Sequence, residues 1–489
     1  MKRLSQITDI SGAALPPDYD PAAHGAGIVH LGLGAFHRAH QAAMTDAALA
    51  HAGGDWRIIG VSLRNRDVVD ALAPQNCLYT LIERDETGVS GRVIGAISQV
   101  IAADPQATLQ ALCDPAIRIV TLTVTEKGYG IERSTGLPDP QNPVIAADLT
   151  ALDAPKGVLG LLCAALGKRK ANGTAPFTVL CCDNLPNNGQ FLQKGLVGFA
   201  RLHDASLADW IARNVAFPSC MVDRITPAAG PETRAEAERL TGCIDLGAIE
   251  TESFTQWVIE DHFPQGRPAW EQGGAIFVQD VDSYERMKLR MLNGAHSMLA
   301  YSGFLAGHRY VRDVMVNPAL ERLVRRHLKA AAQTLEPLPA FSFDTYAKDL
   351  EARFNNPSIA HETYQIAMDG TEKLPQRIFA PALDALENGC ALRPFAFATA
   401  MWMRYCLGVT DGGVTYALRD PREAEIIRVL QGIPRDGELI STALHEQIAL
   451  VPKALVESSA WRDCVAEILN GILDLGIAGA IDLEATGKY

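Results

Sequence analysis

No stretch of this 489-residue sequence reaches the roughly 18 uninterrupted apolar residues expected of a membrane-spanning helix. The nearest run, "GVLGLLCAALG" at 157–167, is too short. Positive charge is also scarce. Lys and Arg number 44 against 57 Asp and Glu, a net charge of −13. A nucleic-acid or anionic-membrane partner wants a basic surface, so neither is expected. Overall acidity does not constrain a local pocket, and an anionic substrate stays open. The first residues, "MKRLSQITDISGAALPPDYD", carry no apolar h-region behind their basic start, so no secretory signal is read there. Ten cysteines are present, but none forms a CxxC pair or a Cys/His cluster with zinc spacing. Reduced, buried thiols in a cytoplasmic protein are the expectation, with no metal site. Internal repeats and low-complexity tracts are missing too, and no obligate protein partner is evident.

What is there is an ordinary globular composition, 48% hydrophobic, in a chain too long for a single core. Over the first 240 or so residues, short β-rich runs alternate with helical stretches. "GIVHLGLG" (27–34), "DWRIIGVSL" (55–63), "IRIVTLTVT" (117–125) and "FTVLCCDN" (177–184) read as strands with little polar interruption. Continuous apolar strands joined by helices point to a parallel sheet covered on both faces. That is the doubly wound α/β class, in which ligands bind beyond the carboxyl ends of the strands. From about residue 285 the pattern becomes long and helical, as in "NPALERLVRRHLKAAAQTL" and "WRDCVAEILNGILDLGIAG". The expected division is a Rossmann-type α/β domain over 1–284 and a mainly helical domain over 285–489, with a ligand cleft at the seam.

"IVHLGLGAFHRAHQA" follows the first expected strand and opens a helix. Gly32 and Gly34 fit the first two glycines of a dinucleotide-binding GxGxxG, but His37 stands at the third position. A packing turn is the competing reading. Phe36 lies in the same turn, and Arg38 has the charge to meet a phosphate. The second strand runs into "RNRD". A carboxylate such as Asp67 suits the ribose of NAD, whereas Arg64 and Arg66 suit the extra phosphate of NADP, and this segment carries both. Thr125 and Glu126, at the end of the "IRIVTLTVT" strand, fall where a bound cofactor would lie.

"YERMKLRMLNGAHSMLAY" (284–301) has the rhythm of a half-buried helix yet carries Glu285, Lys288, Asn293 and His296. At about 100° per residue, Glu285, His296 and Asn293 lie about 60°, 80° and 140° from Lys288. All four share a face, which is either a satisfied polar seam or an active site.

With both halves in view, the chain resembles the mannitol dehydrogenase family, the polyol-specific long-chain dehydrogenases and reductases. The matching segments run from about residue 25 to 410. They include "GAFHRAHQA", "RIVTLTVTEKGYG", "CCDNLPNNG", "FPSCMVDRITP", "QWVIEDHFPQGRP" and "MKLRMLNGAHSMLAY". The resemblance implies a Rossmann-type domain followed by a helical one, and metal-independent, nicotinamide-dependent oxidation of a secondary alcohol. It places the family's K-x4-N-x2-H motif on Lys288, Asn293 and His296, its CDN asparagine on Asn184 and its MVDR aspartate on Asp223. Within the family, "QIAMDGTEKLPQR" (365–377) looks more like the hexuronate branch, whose enzymes interconvert D-fructuronate and D-mannonate. In the mannitol branch an arginine stands where this chain has Gln365. Lys373 and Arg377 then either face a substrate carboxylate or sit on the surface.

Removing a hydride from a secondary alcohol leaves a carbonyl only if a base takes the hydroxyl proton, and the reverse reaction needs an acid and donors to the oxygen. Lys288 is the candidate acid/base. An ordinary lysine titrates near about 10.4, and the role asks for about 7–8. Asn293 and His296 are the candidate donors to the reacting oxygen. Asn184 and Asp223 complete the polar pocket, although Asp223 has a rival reading as a partner of Arg224. Gly294 removes bulk between the two donors. Glu285 either relays a proton or forms an i,i+3 ion pair with Lys288. The leading expectation is an NAD(P)-dependent oxidoreductase acting on D-mannonate and D-fructuronate. The same chemistry on neutral polyols such as mannitol or arabinitol is the alternative, and a non-catalytic dinucleotide sensor is the remote one.

Overall fold

The computed structural model describes residues 2–85, 88–338, 341–357 and 359–487. The chain divides into two compact units, Met1–Asp282 and Ser283–Tyr489. The strands of the first are β1 (Ala26–Leu31), β2 (Arg57–Ser62), β3 (Tyr79–Asp85), β4 (Gly88–Ile94), β5 (Ile97–Ala102), β6 (Ile119–Leu122), β7 (Thr178–Cys181), β8 (Cys220–Asp223), β9 (Ile249–Glu252), β10 (Gln256–Glu260) and β11 (Ile276–Val278). Five of them form an all-parallel sheet in the order β5-β2-β1-β6-β7. Strand order reverses between β1 and β6, the switch point at which doubly wound sheets bind ligands.

Side chains alternate across this sheet, as the period of two requires. Ile28, Ile58, Ile119 and Leu180 enter one core, and Val29, Ile59, Val120 and Val179 the other. With both faces covered, the strands can be apolar throughout, which is why they stand out in the sequence. Two three-stranded sheets, β4-β3-β9 and β11-β10-β8, complete the unit. Both lie outside the doubly wound core that the sequence pattern suggests.

The second unit is built of helices, with only isolated β-bridges among its described residues. Its longest helix, Ser459–Thr486, is apolar and long enough to cross a membrane by length and composition alone. Gly476, at φ 73°, interrupts it. The helix packs against Arg393–Tyr405 and Gly437–Ile448, burying Trp461, Leu469 and Ile472.

The helix expected over 284–301 is not a uniform α-helix. Asp282–Met287 is α, Lys288–Asn293 is a π turn, and Gly294–Leu305 is α again. The Gly294 N–H donates to the carbonyl of Leu289, an i→i+5 bond. A second π turn, Pro375–Phe379, carries Arg377 and closes with an Ala380 N–H to Pro375 bond. The two π turns pack on one another. A Cβ on Gly294 would lie 2.9 Å from the Arg377 carbonyl and 3.0 Å from His327 Nε2. Gly294 therefore permits a close backbone approach between segments, rather than clearing space between Asn293 and His296.

Candidate active site

A π turn adds one residue to a helical turn and shifts the phase of everything before it relative to everything after. The 288–293 segment therefore corrects the α-helical count. Discounting the extra residue, Lys288, Asn293 and His296 behave as positions i, i+4 and i+7, about 40° and 20° from the lysine instead of 140° and 80°. A spacing that is awkward for an α-helix becomes a single stripe. Such single-turn bulges concentrate at functional sites.

Lys288 and His296 are both buried, at 8% exposure, and Asn293 is half-buried. The His296 ring rests on Phe354 at 4.9 Å between centroids and meets His361 edge-on at 5.2 Å. Its pKa is pushed well below the usual histidine value, first by burial, then by the charges of His361, Arg353, Arg377 and Lys288. His296 is therefore a neutral imidazole at neutral pH, with one N–H to donate and one nitrogen to accept. Glu285 precedes the π turn by one helical turn and is half-buried.

Arg377 is half-buried, and its one hydrogen bond among the described residues is from Nη1 to Ser297 Oγ at 3.4 Å. Burial lowers its pKa to about 10, so it stays cationic at neutral pH. Lys373 behaves differently. Its Nζ donates to the carbonyls of Met368 at 2.5 Å and Ile366 at 3.3 Å, and lies 3.6 Å from Asp369 Oδ2. That ammonium braces its own loop. Arg290, on the same stretch as Lys288, is tied to Asp384 at 2.6 Å and to the Thr334 carbonyl at 2.7 Å, a packing role.

In the first unit, Gly32 and Gly34 end β1. Gly32 adopts φ 104°, and a Cβ there would lie 2.1 Å from the Thr123 carbonyl, so only glycine is tolerated. Gly34 is the exposed N-cap of the helix Ala35–Ala39, with no side-chain cap. A Cβ on it would meet nothing closer than 3.7 Å. This open turn at a helix start leaves room for a pyrophosphate. Phe36 is half-buried and stacks on His40 at 5.1 Å.

Arg38 does not present a free charge to that turn. Its guanidinium is buried, donates to the carbonyls of Gly34 (3.3 Å) and Gly247, and lies over the Tyr79 ring. Asp67 is exposed at the start of the helix Asp67–Leu72. With Arg38, Val68, Arg234 and Leu246 it lines a cavity of about 460 Å³. Thr125 takes an unusual φ of 69°, held by its N–H bond to Asp183 Oδ1 at 3.0 Å. Glu126 next to it pairs with Arg133.

Asp183 was not singled out by its sequence context, yet it organises this loop. It accepts from Val124 and Thr125 N–H, both at 3.0 Å, and from Tyr129 Oη at 2.6 Å. Asn188 plays a similar part, tying the loop after β7 to Cys220 through bonds of 2.7 and 3.0 Å. Both stand beside Asn184 in "CCDNLPNNG", and a polar cluster at a strand end was the available signal. Asn184 itself is exposed on that loop, and Asp223 is buried at the end of β8, opposite Gln256. Arg224 contacts Ala39, Glu83 and Glu252. Among the described residues, no group of three or more His, Cys, Asp or Glu is arranged to hold a metal.

Residues 26–272 match the mannitol dehydrogenase Rossmann domain and residues 280–452 the mannitol dehydrogenase C-terminal domain. The chain belongs to the mannitol dehydrogenase family. It is 41% identical to the D-mannonate oxidoreductase of Escherichia coli over 433 residues, 87% of this chain and 89% of that one. It is 42% identical to the mannitol 2-dehydrogenase of Cereibacter sphaeroides over 470 residues, 94% and 98% of the two chains. Among solved structures, the Pseudomonas fluorescens mannitol 2-dehydrogenase in ternary complex with NAD and D-mannitol matches with a TM-score of 0.83. That match has 38% identity and covers 100% of both chains. This family member is an NAD-dependent oxidoreductase acting on the CH–OH group of a polyol or sugar acid.

Proposed function

We propose that this family member interconverts D-mannonate and D-fructuronate with NAD(H). The observation that carries the reading is Arg377, a half-buried guanidinium whose protein contact is one 3.4 Å bond to a hydroxyl. One bond to a hydroxyl leaves most donors of the guanidinium for a ligand, and a carboxylate meets them in bidentate geometry. A neutral polyol offers no such partner.

The nicotinamide cofactor, when bound, would supply the acceptor for the hydride that leaves the carbinol carbon. Lys288, in its neutral form, takes the hydroxyl proton as the carbonyl forms, and returns it in the reducing direction. Asn293 donates through its amide and His296 through its single N–H, holding the oxygen as negative charge develops in reduction. Burial of Lys288 and His296 keeps water from competing for these bonds. Burial makes His296 a weak base, so Lys288 rather than His296 takes the substrate proton. Asn184 and Asp223 serve as further polar contacts to substrate, and Glu285 as a proton relay to Lys288.

For the cofactor, Gly32, Gly34 and the helix start at Phe36 receive the pyrophosphate, and Asp67 faces the ribose at the mouth of the 460 Å³ cavity. Thr125 and Glu126 line the nicotinamide side, placed by Asp183. A cytoplasmic location fits ten free cysteines.

The competing reading, a neutral polyol, is supported by the 42% identity to a mannitol 2-dehydrogenase. Purified protein with NADH or NADPH against D-fructuronate, D-fructose and D-xylulose separates the two. The uronate is expected to be the preferred substrate, and preference for fructose or xylulose overturns the reading.

A further inference from the structure

Strand β2 ends at Ser62, and the helix that follows begins at Asp67. Beyond the carboxyl end of this strand a doubly wound sheet receives the adenosine end of a dinucleotide. The first turns of that helix line the cavity of about 460 Å³, a size suited to a small ligand. Arg38 is part of the same lining and donates to the Gly34 carbonyl, so the cavity adjoins the glycine turn. Val68 and Leu246 supply apolar wall. Leu246 is 41% exposed, an aliphatic side chain with room for a flat ring against it.

Four charged side chains line this cavity: Arg38, Asp67, Asp70 and Arg234. Two of them are engaged within the protein. The Arg38 guanidinium is committed to the Gly34 and Gly247 carbonyls, and Asp70 pairs with Arg66 at 3.7 Å. Asp67 and Arg234 are exposed, and neither side chain makes a hydrogen bond or ion pair with another described residue. Arg64 and Arg66, which the sequence offers for the extra phosphate of NADP, are not among the lining residues. The free arginine that is comes from a distant segment, near the start of the helix Pro231–Thr241.

We propose that Arg234 admits the 2′-phosphate of NADP(H) to this cavity, against the preference for NAD(H) that Asp67 sets. This rests on the reading of the cavity as the adenosine end of the cofactor site, and is independent of the hexonate reading. The hydroxyls of an unphosphorylated ribose donate to the Asp67 carboxylate, whereas a 2′-phosphate brings like charge to it. The Arg234 fork meets a phosphate in bidentate geometry and offsets that repulsion. The protein therefore binds both cofactors, NAD(H) the more tightly, and two residues from separate segments set the margin. Both belong to the cavity at the end of β2, so they tune which cofactor is taken up and leave the chemistry to Lys288.

The test is a binding experiment that needs no sugar substrate. Kd for NADH and for NADPH is measured by fluorescence titration on wild type, Arg234→Ala, Arg234→Lys, Asp67→Asn and the Arg234→Ala/Asp67→Asn double variant. Displacement of bound NADH by AMP and by adenosine 2′,5′-bisphosphate isolates the adenosine end. In Arg234→Ala, Kd for NADPH and for the bisphosphate is expected to rise about tenfold, with NADH and AMP within about twofold of wild type. Arg234→Lys, which keeps the charge without the fork, should retain part of the NADPH affinity. Asp67→Asn should tighten NADPH, and the double variant should lose that gain. The assignment is overturned if wild type does not bind NADPH, or if Arg234→Ala changes Kd for NADH and NADPH by the same factor or changes neither. If Asp67→Asn shifts the preference while Arg234→Ala does not, the cavity is the adenosine site but Arg234 does not read the phosphate. If Asp67→Asn moves neither Kd, the reading of the cavity falls and takes the proposal with it.

Discussion

Arg38 and Arg377 are both guanidinium groups drawn out of water, one beside the glycine turn and one on a π turn of the helical unit. Arg38 is saturated: it meets the carbonyls of Gly34 and Gly247 and the face of Tyr79. Arg377 has a single long bond to a hydroxyl. The histidines repeat the contrast. His30 is fully buried within bonding distance of Thr121, Thr123 and Gly32, at 2.8, 2.9 and 3.1 Å, and burial lowers its pKa to about 3. His361 is half-buried and makes no hydrogen bond through its ring among the described residues. Arg38 and His30 build the glycine turn, whereas Arg377 meets a single hydroxyl among the described residues. Residue type alone does not separate the two cases; hydrogen-bond saturation does.

The largest effect on this contrast comes from removing the acid/base. Lys288→Ala is expected to cut turnover by about 10²–10⁴-fold while NADH affinity, followed by fluorescence titration, stays near wild type. Turnover within threefold of wild type would remove Lys288 from the reaction.

Next in size is Gly294→Ala. Its Cβ meets a backbone carbonyl and the buried His327 ring at about 3 Å, so the two π turns must separate. A loss of about 1–3 kcal/mol in urea unfolding is expected, with a lower kcat because Arg377 moves with its carbonyl. A silent substitution would show that this contact does not hold the turns in register.

Arg38→Met sharpens the comparison from the other side. It leaves the Gly247 carbonyl without its donor, a cost of about 1–3 kcal/mol in stability. The ratio of fructuronate to fructose kcat/KM should not change. A shift in that ratio would mean that Arg38 acts on substrate selection.

The smallest effect is in the pH dependence of stability. Burial lowers His327 to about 4, below the ordinary value of 6.5. The unfolded chain takes up this proton first, so the stability present above pH 6.5 is lost as pH falls toward 4. His327→Gln should flatten the stability slope in that window by one proton, about 1.4 kcal/mol per pH unit. An unchanged slope would mean that His327 is already charged in the folded state.

The parallel sheet was legible because its strands are buried on both faces and therefore apolar throughout. Their ends were less so. "GIVHLGLG" reads as one run to Gly34, but β1 stops at Leu31, where Gly32 turns the chain at a φ that side chains resist. β5, "ISQVIA", went unread because its alternation is short and interrupted by Ser98 and Gln99. The helix around Lys288 was placed, but its phase was not. A shift from i→i+4 to i→i+5 bonding leaves no mark on residue type, so α-helical counting put Asn293 well away from Lys288. Lys373 could not be distinguished from Arg377 either, since the sequence does not show that its ammonium folds back onto Ile366 and Met368.

Arg377 is proposed to carry a charge reserved for substrate. The direct measurement is the ratio of kcat/KM for D-fructuronate to that for D-fructose in wild type and in Arg377→Leu. Loss of a bidentate charge-assisted pair should lower that ratio about 100-fold, with fructose kinetics little changed. A ratio that stays within threefold of wild type, or a loss shared equally by both ketoses, would contradict it.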